Sequence, residues 1–110
     1  MALSRKVPES QNPKAVHEYA QTKYKLSQQT SDLNTQKRLV REEVELLRRA
    51  IPLSDNEIRC AWCWYDLARA LAWLRSPDTE VLQAYGKAME LLPDESRFKA
   101  SYEVWRRRSS

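Results

Sequence analysis

The chain has 110 residues and a formal net charge of +4, a length that fits one domain with a small hydrophobic core. It contains a single glycine and is rich in alanine, leucine, glutamate and arginine, which are good helix formers. No β-branched run bounded by glycine-rich turns predicts a strand. No apolar run approaches the roughly 20 residues of a membrane span, and the first residues lack the apolar stretch of a signal peptide, so we expect an all-α cytoplasmic protein without membrane contact.

The N-terminal part predicts an arm followed by two helices. Residues 1–11 are polar, show no helical period and are expected to form a flexible arm. Asn12 and Pro13 then indicate a helix start, with a capping residue followed by proline at the first helical position. A later polar stretch predicts a turn near 30–34. The alternative is one unbroken helix over 13–51, because apolar residues recur there every seven positions, as in a coiled coil.

The next stretch predicts an amphipathic helix from Leu33 to Ile51, with apolar residues on one face and charged residues mainly outside it. Pro52 is expected to end this helix, because proline lacks the backbone N–H that a helix interior needs. Ser54 and Glu57 have the spacing of a capping box, which predicts that another helix begins there.

That third helix, expected to run to about Arg75, is apolar or aromatic on nearly every side. Only Arg59, Asp66 and Arg69 form a polar line along it. A helix with so much apolar surface normally packs against several neighbours. We therefore expect it at the centre of the domain.

The chain then restarts twice. Ser76 as a cap, followed by proline at the first helical position, predicts a fourth helix over about 79–92. A final helix is expected over about 95–107, with Phe98 and Tyr102 buried.

An internal repeat relates the two halves of the chain. Pro52 and Pro93 each follow a predicted helix and lie 41 residues apart. The apolar residues of the two preceding helices occupy matching positions when the prolines are aligned. Self-similarity of this length is typical of helical arrays.

The middle of the chain carries small and aromatic residues at the spacing of a known helical repeat. The matching residues are Trp64, Leu67, Ala68, Leu71, Val81, Tyr85, Ala88 and Pro93. Over 55–93 the chain resembles the tetratricopeptide repeat, a pair of antiparallel helices. Its spacing is one residue longer than that of the family, and Ala68 stands where the family has glycine.

This resemblance implies a fold of antiparallel helical hairpins stacked as an array with a C-terminal capping helix. We expect a single helical domain over 12–110. Within it, 12–52 would be a degenerate first helix pair, 54–93 the tetratricopeptide-like pair and 95–108 the helix that closes the array.

Aromatic and cationic residues follow one line of the third helix. Helix geometry places Trp62, Arg69 and Trp73 on its polar line, and the resemblance places the ligand-facing positions at Trp62, Tyr65, Arg69 and Trp73. Because such side chains dominate binding hot spots, we expect a non-catalytic adaptor, regulatory or scaffold domain that binds a peptide or helix of another protein there. The alternative is that a neighbouring helix, either Leu33–Ile51 or the N-terminal helix, covers these residues as part of the core.

Two other functions stay open at this point. The first is a nucleic-acid-associated accessory domain that uses a basic surface, which would also suit an acidic partner. Its candidate residues are Arg48, Arg49, Arg106, Arg107 and Arg108. The second is a self-assembly domain in which 13–51 forms an intermolecular coiled coil.

Cys60 and Cys63 form a CxxC pair, which can be half of a zinc site or a redox pair. Zinc needs four ligands, and the only histidine, His17, has no visible companions. The pair is expected inside a helix beyond its first turn, which favours two packed core residues. With no glycine-rich phosphate loop either, the sequence predicts no enzyme, no cofactor and no metal.

Overall fold

The structure is a computed structural model that describes residues 12–109, with side chains described as far as Arg107. Its helices are α1 (Pro13–Gln29), α2 (Leu33–Leu53), α3 (Glu57–Trp73), α4 (Asp78–Leu91) and α5 (Ser96–Ser109). The described residues contain no strand, so the all-α prediction is confirmed. The arm predicted over 1–11 lies outside the described residues.

The chain separates into two compact units between Ser54 and Asp55. The first unit contains α1 and α2, and the second contains α3, α4 and α5. A single domain over 12–110 stays a prediction.

The start of α1 and the turn after it lie where the sequence predicts them. Asn12 is the N-cap of α1, and its side-chain oxygen accepts the N–H of Lys14 at 2.9 Å. Asp32 caps α2 in the same way, and its carboxylate accepts the N–H of Thr35 at 2.9 Å. These hydrogen bonds satisfy amides that have no partner within the helix. The break between Gln29 and Leu33 confirms the turn and rules out one unbroken helix over 13–51 in this structure.

In the first unit α1 and α2 pack against each other as a hairpin. An ion pair links them, with 2.9 Å between Lys23 Nζ and Glu42 Oε1, and Arg38 adds a second contact to Glu42 at 3.3 Å. The hydrogen bond from Lys23 lowers the pKa of Glu42, although partial burial acts in the opposite direction. The buried residues of the two helices are Val16, His17, Ala20, Ser27, Leu39, Val40, Glu43, Val44, Leu46, Leu47 and Ala50.

The predicted capping box at Ser54 is wrong. α2 continues past Pro52 to Leu53, and Ser54 is its C-cap. Asn56 caps α3 instead, because its side-chain oxygen accepts the N–H of Arg59 at 3.0 Å. Asparagine is as good an N-cap as serine, so the start of α3 moves two residues along the chain without loss of a capping bond.

The last two helices begin within one residue of their predicted starts, but the predicted Ser76 cap of α4 is wrong. α4 begins at Asp78, and Pro77 is its N-cap without a side-chain hydrogen bond. The carbonyl of Pro77 accepts the N–H of Glu80 at 3.0 Å, so the backbone alone starts this helix. α5 begins at Ser96 rather than at position 95.

In the second unit α3 packs on α4, and α4 packs on α5. Side-chain contacts also join α3 to α5. Trp62 contacts Phe98, and Tyr65 contacts Ser101, with the same separation of 36 residues. Because a constant separation requires both helices to run in the same direction, α5 lies parallel to α3. The unit is therefore a helical hairpin followed by a third helix that repeats the direction of the first.

The corrected cap of α3 can be tested by alanine substitution. Asn56→Ala should lower the free energy of unfolding by about 1 kcal/mol, because it removes a side-chain N-cap. Ser54→Ala, the change that the capping-box interpretation would make costly, should stay within about 0.5 kcal/mol. Urea unfolding measures the free energy of unfolding of both variants. A larger loss in Ser54→Ala than in Asn56→Ala would support the capping box instead.

The ion pair of Glu42 predicts a pH dependence. Because the pKa of Glu42 is lowered in the folded chain from its usual 4.5, its stabilisation is present above that value and is lost as the pH falls through the folded pKa. Glu42→Gln should cost about 0.5–1 kcal/mol at pH 7, a range suited to a partly exposed pair, and less at acidic pH. Urea titrations of both proteins at several pH values measure this difference in the free energy of unfolding. Glu45→Gln, an exposed change on the same helix, is the control, and an undiminished cost at pH 3 would contradict the assignment.

Candidate functional site

The four residues predicted to bind a partner all lie on α3 and share one side of it, which we call the α3 edge. The first and the last lie eleven positions apart along the helix, a length of about 16 Å. The structure gives these residues different surroundings. Trp62 and Arg69 are half-buried, Tyr65 is buried, and Trp73 is 44% exposed.

Tyr65 lies where the three helices of the unit meet. Its ring stacks on Phe98 of α5 at a centroid distance of 4.8 Å and is tilted against Tyr85 of α4 at 6.0 Å. A hydrogen bond joins its hydroxyl to the hydroxyl of Ser101, with 3.0 Å between the oxygens. Burial raises the pKa of Tyr85 to about 12, with a smaller contribution from Tyr65. Tyr85 therefore stays neutral beside the Tyr65 ring.

Trp62 is covered by the first turn of α5. Phe98 meets its ring edge-on at 4.7 Å, and the guanidinium of Arg97 lies 4.5 Å from its centroid. Two hydrogen bonds from Arg97 to Glu95, at 2.8 and 3.1 Å, hold that guanidinium in place. Hydrogen bonding to Arg97 lowers the pKa of Glu95, and the same pairing raises the pKa of Arg97. Trp62 and Phe98 thus belong to an aromatic cluster, and the Arg97 guanidinium, paired with Glu95, lies over the Trp62 ring.

Arg69 and Trp73 form the more accessible end of the α3 edge. The guanidinium of Arg69 lies 5.3 Å from the centroid of the Tyr65 ring, a cation–π distance. Trp73 is the last residue of α3, and no aromatic partner of it is seen among the described residues. The predicted site is therefore divided: a neighbouring helix, α5, covers Trp62 and Tyr65, while Trp73 is open. The periodicity of α3 alone could not predict that α5 is the helix that covers these residues.

The backbone ends α3 sharply after Trp73. Arg75 has a φ of 62°, in the left-handed region. Its N–H bonds the carbonyl of Ala72 at 3.1 Å, and the N–H of Ser76 bonds the carbonyl of Leu71 at 3.0 Å. This pair of bonds is a Schellman motif, in which the left-handed residue is usually glycine. An arginine there carries a steric cost that glycine would avoid.

The two cysteines lie inside α3, and both are free thiols. Cys63 is fully buried, and burial, with a contribution from Asp66, raises its pKa to about 12. Burial also raises the pKa of Cys60. Since the thiolate is the form that attacks disulfides or binds metal, this environment disfavours both chemistries. Within the described residues no group of three or more histidine, cysteine or acidic side chains could hold a metal ion.

The basic residues proposed for nucleic acid are divided between the two units. Arg48 and Arg49 lie on α2, whereas Arg106 and Arg107 are exposed near the end of α5. Arg106 also contacts Glu103 at 3.3 Å. Arg108 belongs to α5, but its side chain lies outside the described residues. Arg48 and Arg49 are thus neighbours on one helix, and Arg106 and Arg107 are neighbours on another.

Comparison with protein-family models, curated proteins and solved structures gave no match. The resemblance to the tetratricopeptide repeat therefore stays a prediction. None of the helices in the described part of the chain combines the length and the apolar character needed to cross a membrane.

The left-handed residue after α3 predicts a stabilising substitution. Arg75→Gly should raise the free energy of unfolding by about 0.5–1 kcal/mol, because glycine adopts this φ without a steric cost. Arg59→Gly, the same change inside α3, should lower it by about 1 kcal/mol. Thermal or urea unfolding distinguishes the two. A loss of stability in Arg75→Gly would show that the helix end does not depend on a left-handed residue.

Proposed function

We propose that the Asp55–Ser110 unit is a non-catalytic, tetratricopeptide-like interaction module that binds a peptide or helix of another protein along the α3 edge. In the cell it would serve as an adaptor, regulatory or scaffold domain in the cytoplasm. The observation that carries the proposal is the 44% exposure of Trp73, on the same side of α3 as Arg69.

Trp73 and Arg69 suit the recognition of a protein segment. A tryptophan buries about 150–250 Å² when it is covered, so covering the exposed part of Trp73 would contribute about 2 kcal/mol to binding. The Arg69 guanidinium, held against Tyr65, can pair with a carboxylate or a carbonyl of the partner. Trp and Arg are also the residue types that most often anchor protein interfaces.

The absence of enzyme chemistry is part of the same proposal. The thiols of Cys60 and Cys63 have raised pKa values and therefore form little thiolate at neutral pH. We therefore assign the α3 edge to binding without a cofactor or metal.

Affinity capture with the full chain as bait tests the proposal. Proteins captured from the native source are identified by mass spectrometry, and each candidate is purified and titrated. Trp73→Ala should weaken binding of the true partner about tenfold or more, which corresponds to about 1.4 kcal/mol or more. The change is preferred to Trp62→Ala, because Trp62 supports α5 and its loss would disturb the fold. Val104→Ala, at a residue of α5 that is 55% exposed, is the matched control.

Three results would argue against this function. If the Trp73→Ala variant keeps its helicity and binds every captured protein as tightly as the native chain does, the α3 edge is not the binding site. Capture that falls steeply between low and moderate salt and disappears with nuclease would favour a nucleic-acid-associated domain. A concentration-dependent rise in mass, without a foreign partner, would favour self-assembly.

A further inference from the structure

α5 is attached to the α3 edge by a short set of side chains. Phe98 lies between Trp62 and Tyr65, Arg97 covers Trp62, and Ser101 bonds Tyr65. Phe98 and Arg97 precede Ser101 by three and four residues, so each can share a helix face with it. Recognition of a helix in a groove commonly uses anchors at such spacings.

Among the residues of α5 whose side chains are described, Phe98 is the only one that is buried. Most of its neighbours along the helix are exposed, including Arg97, Lys99 and Val104. In contrast, α3 has seven buried residues. A helix with a single buried anchor belongs to the less stable part of a fold, where local opening is easiest.

The residues beneath α5 are the same residues that the sequence assigns to a partner. Side chains of α5 cover Trp62 and Tyr65, whereas Trp73 on the same edge stays exposed. A foreign helix that follows the whole edge must therefore take the place of α5, and it gains the contact with Trp73 that α5 leaves open.

We propose that α5 is an internal ligand of the α3 edge, and that the partner is an amphipathic helix that carries an Arg-Phe pair followed three residues later by a serine or threonine. This inference rests on the proposed function. The partner helix lies parallel to α3, as α5 does, with its phenylalanine between Trp62 and Tyr65 and its arginine over Trp62. α5 is displaced as the partner binds.

The tether makes α5 a strong competitor. Four residues connect α4 to α5, and a short linker gives the attached helix an effective concentration in the millimolar range. A partner at micromolar concentration therefore binds the native chain weakly unless α5 is loosened. Apparent affinity is reduced by the small fraction of chains in which the edge is open.

The test uses the full chain and a defined probe. The probe is a fluorescent synthetic peptide with the sequence of residues 94–107, which contains the three anchors. Binding is followed by fluorescence anisotropy for the native chain, for Phe98→Ala and for a chain with about twelve Gly and Ser residues inserted between Pro93 and Asp94. Control probes are the peptide with its phenylalanine replaced by alanine and a scrambled peptide of the same charge.

Phe98→Ala should bind the probe at least about tenfold more tightly than the native chain, because the internal competitor has lost its anchor. The insertion should raise the affinity by up to about eightfold, since effective concentration falls with about the −3/2 power of linker length. Both control probes should bind weakly to all three proteins.

Unchanged probe affinity in both variants, with their helicity retained, would overturn the inference and leave α5 as an ordinary core helix. If Phe98→Ala does not fold, the insertion variant decides, because it keeps every contact residue. The proposed function is judged separately by Trp73→Ala. A partner that depends on Trp73 but is insensitive to the insertion would support the function and contradict the displacement of α5.

Discussion

The ring of Tyr65 fixes the arrangement of the three helices in the second unit. It stacks on Phe98, leans against Tyr85 and shares a hydrogen bond with Ser101. A buried phenol needs both apolar neighbours for its ring and a polar partner for its hydroxyl. Because these requirements are met by different helices, moving α5 away leaves Tyr65 with an uncovered face and an unbonded hydroxyl. Any replacement for α5 must supply both.

Local features were predictable from the sequence. Asn12 followed by proline identified the start of α1, since a cap and a fixed φ act within a few residues. The apolar character of α3 on nearly every side predicted extensive burial, and seven of its residues are buried; its place at the centre of a single domain stays a prediction. The burial of Phe98 was also predicted and is confirmed, whereas Tyr102, predicted to be buried with it, is only half-buried. None of these predictions required knowledge of which helix is the neighbour.

The wrong predictions arose where two residues could cap the same helix, or where the burial of a residue depends on which helix packs against it. Ser54 and Asn56 are both good caps, and the choice depended on α2 continuing through Pro52. At the α3 edge, helix periodicity identified the side that carries Trp62, Arg69 and Trp73, and the resemblance to the tetratricopeptide repeat added Tyr65. It could not identify α5 as the element that covers them, since that depends on the path of the chain through the turn after α4.

Phe98 is the only phenylalanine in the chain, and it is fully buried between two aromatic rings. A fluorinated phenylalanine incorporated during expression would therefore give a single ¹⁹F resonance. Ring currents from Trp62 and Tyr65 would shift that resonance while α5 is docked, and release into water would move it towards the value of the free amino acid. The position of one helix could thus be followed spectroscopically, in solution and without any substitution in the sequence.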